Sequence, residues 1–313
     1  MRVLHRHPLR ALQRVWKAVP TGPGASGSAS AEPDRDRMMA VAVSTESPFH
    51  GPKHPRTSRD ATIEALRFVV RCDPPLPIRR GILLADAVHH RFARALARAG
   101  GGTDETVVLG RQGAATDHQH AHWVPLAGPD GAISDLLIWV PARLTTAEVA
   151  AVLADTTWPV AVGTGSSGTD PQEAGGAVGG PPEVRLLLHS AGPADMVTPL
   201  LCGPATVWQT ATPYLPVRHR KARHSVETFL AEDISHACAY RGLPAPTAVT
   251  RVHPGAGLLD GWAAGFRRYR IQEQSDRQRV GLGLRLVFAR PVTGPVLLGR
   301  LAHFGFGVFL PTG

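Results

Sequence analysis

Three histidines at alternate positions, His118, His120 and His122, stand in the run Asp117-His118-Gln119-His120-Ala121-His122. In an extended segment such residues share one side of the chain. At ~3.3 Å per residue, successive imidazoles then stand roughly 6–7 Å apart. An imidazole titrates near pH ~6.5, so a row of them can take and give protons at neutral pH. Three histidines plus a water also make an open Zn²⁺ site, but Asp117 is the one nearby carboxylate available as a further ligand or base. A polar strand that merely touches RNA is the third reading, in a chain with 15 histidines.

Two basic segments suit a polyanion. Pro216–His224 (PVRHRKARH) packs Arg218, Arg220, Lys221 and Arg223 into nine residues without an acid. Cations on phosphates release counterions, which gives sequence-blind, salt-dependent affinity. Arg267-Arg268-Tyr269-Arg270 interleaves arginine with an aromatic that can stack on a base. Near the C-terminus, Gly299-Arg300-Leu301-Ala302-His303-Phe304-Gly305-Phe306-Gly307 reads either as a tight turn or as a loop whose glycines turn main-chain N–H groups toward an anion. It lacks the Lys-Ser/Thr ending of a triphosphate-binding loop. The candidates for RNA contact are thus Arg218, Arg220, Lys221, Arg223, Arg267, Arg268, Tyr269, Arg270, Gly299, His303, Gly305 and Gly307.

Composition agrees with a polyanionic partner. The 313 residues carry 34 basic and 25 acidic groups, a net charge of +9, and only Lys17, Lys53 and Lys221 are lysines. Codon bias alone can favour arginine over lysine, but the net excess is a physical pull on polyanions. Hydrophobic residues make up 43%, enough for a core, while 33 glycines and 28 prolines demand many turns. Three scattered cysteines, Cys72, Cys202 and Cys238, exclude a disulfide framework and a Cys-x-x-Cys zinc site, and fit a reducing cytoplasm. No apolar run approaches the ~18 residues of a membrane span.

These residues must be positioned by something. Residues 1–60 read as a short basic amphipathic stretch followed by a linker rich in Gly, Ser and Pro. From residue 61 the pattern becomes periodic. Ile63–Arg71 is strand-like; Ile78–Ala99 has the three-to-four apolar spacing of a helix; His122–Leu126 and Ser134–Val140 form a hairpin. Thr145 with Glu148 makes a capping box opening a helix to Asp155, and Glu183–Ser190 is a further strand. The order β-α-β-β-α-β over 61–192 predicts a ferredoxin-like (RRM-like) α+β domain. Residues 193–313 predict a looser second copy: strands at Thr206–Leu215, Thr247–His253, Phe266–Ile271 and Leu282–Ala289, one helix from Ser225 to about Tyr240, and no second long helix before the glycine-rich loop.

Three of these blocks in this order carry a resemblance. DHQHAHWVPL with ISDLLIWVP, LCGPATVWQTATPYLPVRHRK, and GPVLLGRLAHFGFGVFLP resemble the signatures of the type I-G (formerly I-U) CRISPR-associated GSU family, a fusion of the Cas-five and Cas-six types in the RAMP superfamily. The resemblance spans roughly residues 61–313, and relatives carry a longer N-terminal portion, so the chain is expected to be truncated there. It implies tandem ferredoxin-like domains, the second degenerate, and binding of CRISPR repeat or guide RNA beside other subunits of a type I effector complex in the cytoplasm. It also implies metal-independent cleavage of precursor RNA, with no cofactor and no membrane. In that chemistry the 2′-hydroxyl attacks the adjacent phosphate and leaves a 2′,3′-cyclic phosphate, and His118, His120 and His122 match the family's histidine block. The other implied role is a non-catalytic subunit that holds the guide.

Overall fold

In the computed structural model the described residues are 63–99, 106–109, 119–154, 156–159, 183–221, 223–252, 261–268, 270 and 280–312. The expected N-terminal stretch and linker lie outside them. Strand β1 (Ile63–Asp73) alternates as its β-branched and aromatic residues require, sending Leu66, Phe68 and Val70 to one face. Helix α1 (Gly81–Arg98) lays Leu84, Val88, Phe92 and Leu96 on that face. The hairpin of β2 (His122–Ala127) and β3 (Ile133–Leu144) adds Trp123, Leu136 and Ile138. Helix α2 (Thr146–Leu153) opens with the expected capping box: Glu148 N–H donates to the Thr145 hydroxyl, and Thr145 N–H donates to the Glu148 carboxylate. A short edge strand β4 (Thr157–Pro159) and β5 (Glu183–Gly192) complete an antiparallel sheet in the order β2-β3-β1-β5-β4. Without the added edge strand this is the ferredoxin-like order, with the first strand central between the third and the last.

The second half repeats it. After two single-turn helices, α3 (Ala194–Val197) and α4 (Pro199–Cys202), come β6 (Ala205–Thr210), α5 (Val226–Tyr240), β7 (Ala248–Arg251), the single-turn α6 (Gly261–Ala264), β8 (Leu284–Val292), β9 (Val296–Leu297) and β10 (Val308–Pro311). Their order is β7-β8-β6-β10-β9, again with an extra edge strand beside the last one. Ser225 caps α5 through the Thr228 N–H. Trp208, Ile234, Cys238, Leu286, Phe288 and Phe309 form the second core. Where a second long helix would cover this sheet there is the glycine-rich loop, as its sequence predicts.

The strand expected at Phe266–Ile271 is not seen among the described residues. Phe266 to Arg268, and Arg270, are not paired in either sheet; Tyr269 and Ile271 lie outside the described residues. The arginine–aromatic pattern has the composition of a strand, but tertiary contacts override it. Phe266 is buried with Ile82 and Leu83 of α1, Leu215 and Phe306, and the Arg267 N–H donates to the Arg79 carbonyl. The segment is tied to the start of α1.

The halves meet at the reverse face of the first sheet. Ala65, Val124 and Leu137 are buried there against Val197, Leu201, Leu297, Ala302 and Val308. A buried ion pair shares this face, with Arg67 2.9 Å from Asp135, which also accepts from the Ser134 hydroxyl. The glycine-rich loop reaches it because Gly305, at φ +84°, has no Cβ: one placed there would lie 2.7 Å from Pro125 of β2. Gly305→Ala is therefore expected to cost about 2–4 kcal/mol in urea unfolding. Gly131→Ala, at φ +77° in open space, should cost about 1–2 kcal/mol, the backbone term alone. Equal losses would remove the close approach from the explanation.

Candidate functional site

His120 and His122 enter the site from the first residues of β2, and His303 enters from the 3-10 turn Ala302–Phe304 of the glycine-rich loop. The three rings stack with His303 in the middle, its centroid 3.6 Å from that of His120 and 4.0 Å from that of His122. The main chain locks the arrangement. His303 Nδ1 lies 3.1 Å from the Ala121 carbonyl, and His122 Nδ1 lies 3.2 Å from the Ala302 carbonyl. Each ring thus bonds the residue preceding its partner. Arg241, just past α5, brings Nη2 to 3.3 Å from His303 Nε2. A guanidinium only donates, so His303 Nε2 accepts, Nδ1 carries the proton, and the ring is neutral.

His122 is fully buried, and its pKa is held well below the imidazole range, first by burial and then by the neighbouring His303 and Arg241. It is neutral at pH 7, with Nδ1–H donating to Ala302. Its Nε2 is buried without a hydrogen-bond partner. Burial also lowers Arg241 to about 10, which leaves it charged at neutral pH. His122 and His303 are thus neutral beside a retained cation. His120 is half-buried and is the member of the expected row with access to solvent; His118 lies outside the described residues.

The basic segment is anchored from below. Asp233 of α5, 1% exposed, accepts from the Tyr214 hydroxyl at 2.6 Å, from the Val217 and Arg218 N–H groups, and from Arg218 Nε at 3.2 Å. Burial, and then proximity to that carboxylate, push the Tyr214 hydroxyl far up, so it stays a donor. Arg218 is thereby committed to Asp233 and Glu232. Beyond it Arg220, Lys221 and Arg223 are exposed, and none has a carboxylate partner among the described residues. Residues 233 and 241 are eight apart, roughly 12 Å of helix rise, so α5 carries both the basic segment's anchor and the arginine of the stack.

The glycine-rich loop does other work than the expected anion cradle. The N–H groups of Arg300, Ala302, Phe304, Gly305, Phe306 and Gly307 donate to protein carbonyls, Gly307 to that of Pro213. The room at Gly299 and Gly305 is taken by Tyr214 and Pro125, and at Gly307 by the Leu298 carbonyl. These glycines let the loop dock, and His303 belongs to the stack.

A second cluster borders the stack. Asp86, His89 and His90 occupy one face of α1. His89 meets Trp123 at 5.8 Å and Phe304 at 5.6 Å, ring to ring. Arg270 lies over the Phe304 ring at 4.8 Å and 3.7 Å from Asp86. Of the second arginine segment, Arg270 is thus the member that joins the seam, while Arg267 and Arg268 are half-buried. The reading of the sequence missed Asp86, His89, His90 and Arg241. The first three had a local signal, i, i+3, i+4 spacing on a clear helix; Arg241 had none beyond a cation at a helix end.

No family model matches the chain, and no curated protein matches it. A solved structure described as "An RAMP protein binding different RNA substrates" is similar over 80% of this chain and all of its own, at 11% identity and a TM-score of 0.33. A likeness of that size assigns neither family nor function. Among the described residues, no helix is long and apolar enough to cross a membrane.

The stack makes stability depend on pH. The His122 pKa is depressed on folding, so its contribution is fully present above about pH 6.5 and is lost as pH falls from there toward its folded value. Urea unfolding at a series of pH values should show stability falling by up to about 1.4 kcal/mol per pH unit from this residue. His122→Gln should flatten that slope; an unchanged slope would remove His122 as its source.

Proposed function

We propose that the chain is a CRISPR-associated RNA-binding protein. The observation that supports this best is the segment Arg220, Lys221 and Arg223: exposed, without carboxylate partners among the described residues, and held on a rigid helix through Asp233. Three cations presented this way bind phosphates and need no base contact. On single-stranded repeat RNA each phosphate contact contributes about 0.7 to the slope of log affinity against log salt. The triple variant Arg220→Ala, Lys221→Ala, Arg223→Ala is expected to reduce that slope by about 2. An unchanged slope would count against this surface.

The finer reading is metal-independent cleavage of precursor CRISPR RNA. The 2′-oxygen attacks the adjacent phosphorus as a base takes its proton. The bond to the 5′-oxygen breaks as an acid protonates it, leaving a 2′,3′-cyclic phosphate and a 5′-hydroxyl. Of the expected histidines His118, His120 and His122, this reading now places proton transfer on the half-buried His120, with His122 behind it as a positioning residue. Labelled repeat RNA in EDTA should yield the cyclic-phosphate product, and His120→Ala should slow the cut about 10²–10⁴-fold.

The other reading is a non-catalytic subunit that holds the guide, in a type I effector complex. The burial of His122 and the internal use of the loop's N–H groups favour it. Tight binding with no cut, unaltered by His120→Ala, is its expected outcome in the same assay.

A further inference from the structure

We propose that Asp86, His89 and His90 form a binding site for one divalent transition ion on α1, a property separate from RNA binding or cleavage. Each of the three offers a ligand atom, and these atoms lie within 4.8 Å of one another. Asp86 Oδ1 is 3.5 Å from His90 Nε2, one helical turn on. A charge-assisted hydrogen bond would draw those atoms to about 2.7–2.9 Å. Two ligands bonded at about 2.1 Å to one tetrahedral ion stand about 3.4 Å apart. The observed gap has the size of a coordination edge.

The surroundings suit an ion. The Asp86 carboxylate is 1% exposed, and a buried carboxylate needs a cation at hand, a place that Arg270 takes at 3.7 Å. The His90 side chain is 43% exposed, which leaves an entry path and room for water as a remaining ligand. His89 is held by its edge contacts to Trp123 and Phe304, so little side-chain freedom is left to lose on binding. Two imidazoles and one carboxylate suit Zn²⁺, Ni²⁺ or Co²⁺ better than Mg²⁺ or Ca²⁺. Arg270 Nη1 stands 3.7 Å from the same Asp86 oxygen. Ion and guanidinium compete for that oxygen, so metal binding displaces Arg270 from Asp86 and frees it over Phe304.

The test uses the untagged full chain, stripped with chelator. Co²⁺ is titrated and followed by its visible d–d bands, and Zn²⁺ stoichiometry is read by equilibrium dialysis. One ion per chain is expected, with His90→Ala weakening binding by about a hundredfold or more. Arg270→Gln should tighten it, because the competing cation is gone. Far-ultraviolet circular dichroism confirms that the variants fold, which the exposure of His90 favours. No bound ion overturns the proposal, as does binding that His90→Ala and Arg270→Gln both leave unchanged, since the ion then sits on other histidines. None of these outcomes depends on whether RNA is bound or cut.

Discussion

Across the seam between the two sheets, residues 121 and 122 exchange hydrogen bonds with residues 302 and 303: His122 donates to the Ala302 carbonyl and His303 to that of Ala121. The exchange requires a proton on Nδ1 of each ring. Burial keeps His122 neutral, and Arg241 sets the His303 proton on Nδ1 by filling Nε2. Everything placed around the seam depends on this one contact. It brings the glycine-rich loop onto β2 and sets Phe304 against His89 of α1, with Arg270 over its ring.

The same constraint separates two kinds of polar group. His122, His303, Asp233 and the loop's N–H groups are spent inside the protein, and a buried donor or acceptor left unpaired costs about 1–3 kcal/mol. They hold geometry. Arg220, Lys221 and Arg223 are exposed, and His120 and His90 are half-buried. Around helix α5, Asp233 fixes the start of the basic segment and Arg241 closes the histidine stack.

Much of the architecture is legible from local pattern. The apolar spacing of Ile78–Ala99, the Thr145–Glu148 box and the strand-like composition of Ile63–Arg71 each report a nearby interaction, and each element, like the helix expected from Ser225, is present with ends shifted by a few residues. The β-α-β-β-α-β order followed, and so did the missing helix of the second half. Phe266–Arg268 was misread because its arginines and aromatic look strand-like, while its neighbours, Ile82, Phe306 and the Arg79 carbonyl, lie far off in sequence.

For the site, sequence determined the supply of chemistry: a histidine row, an acid-free basic segment, a loop with enough glycine to pass close to other backbone, and a surplus of positive charge. Tertiary structure decided the uses. Alternation put His120 and His122 on one side, but only the packing of the second half against that side buried His122 and slid His303 between the two rings. Desolvation, tautomer choice and the pairing of Asp86 with Arg270 arise from atoms far apart in the chain, 62 residues for Arg241 and His303 and 180 for His122 and Ala302. Periodicity reports only the field within a few residues, so it carries none of these.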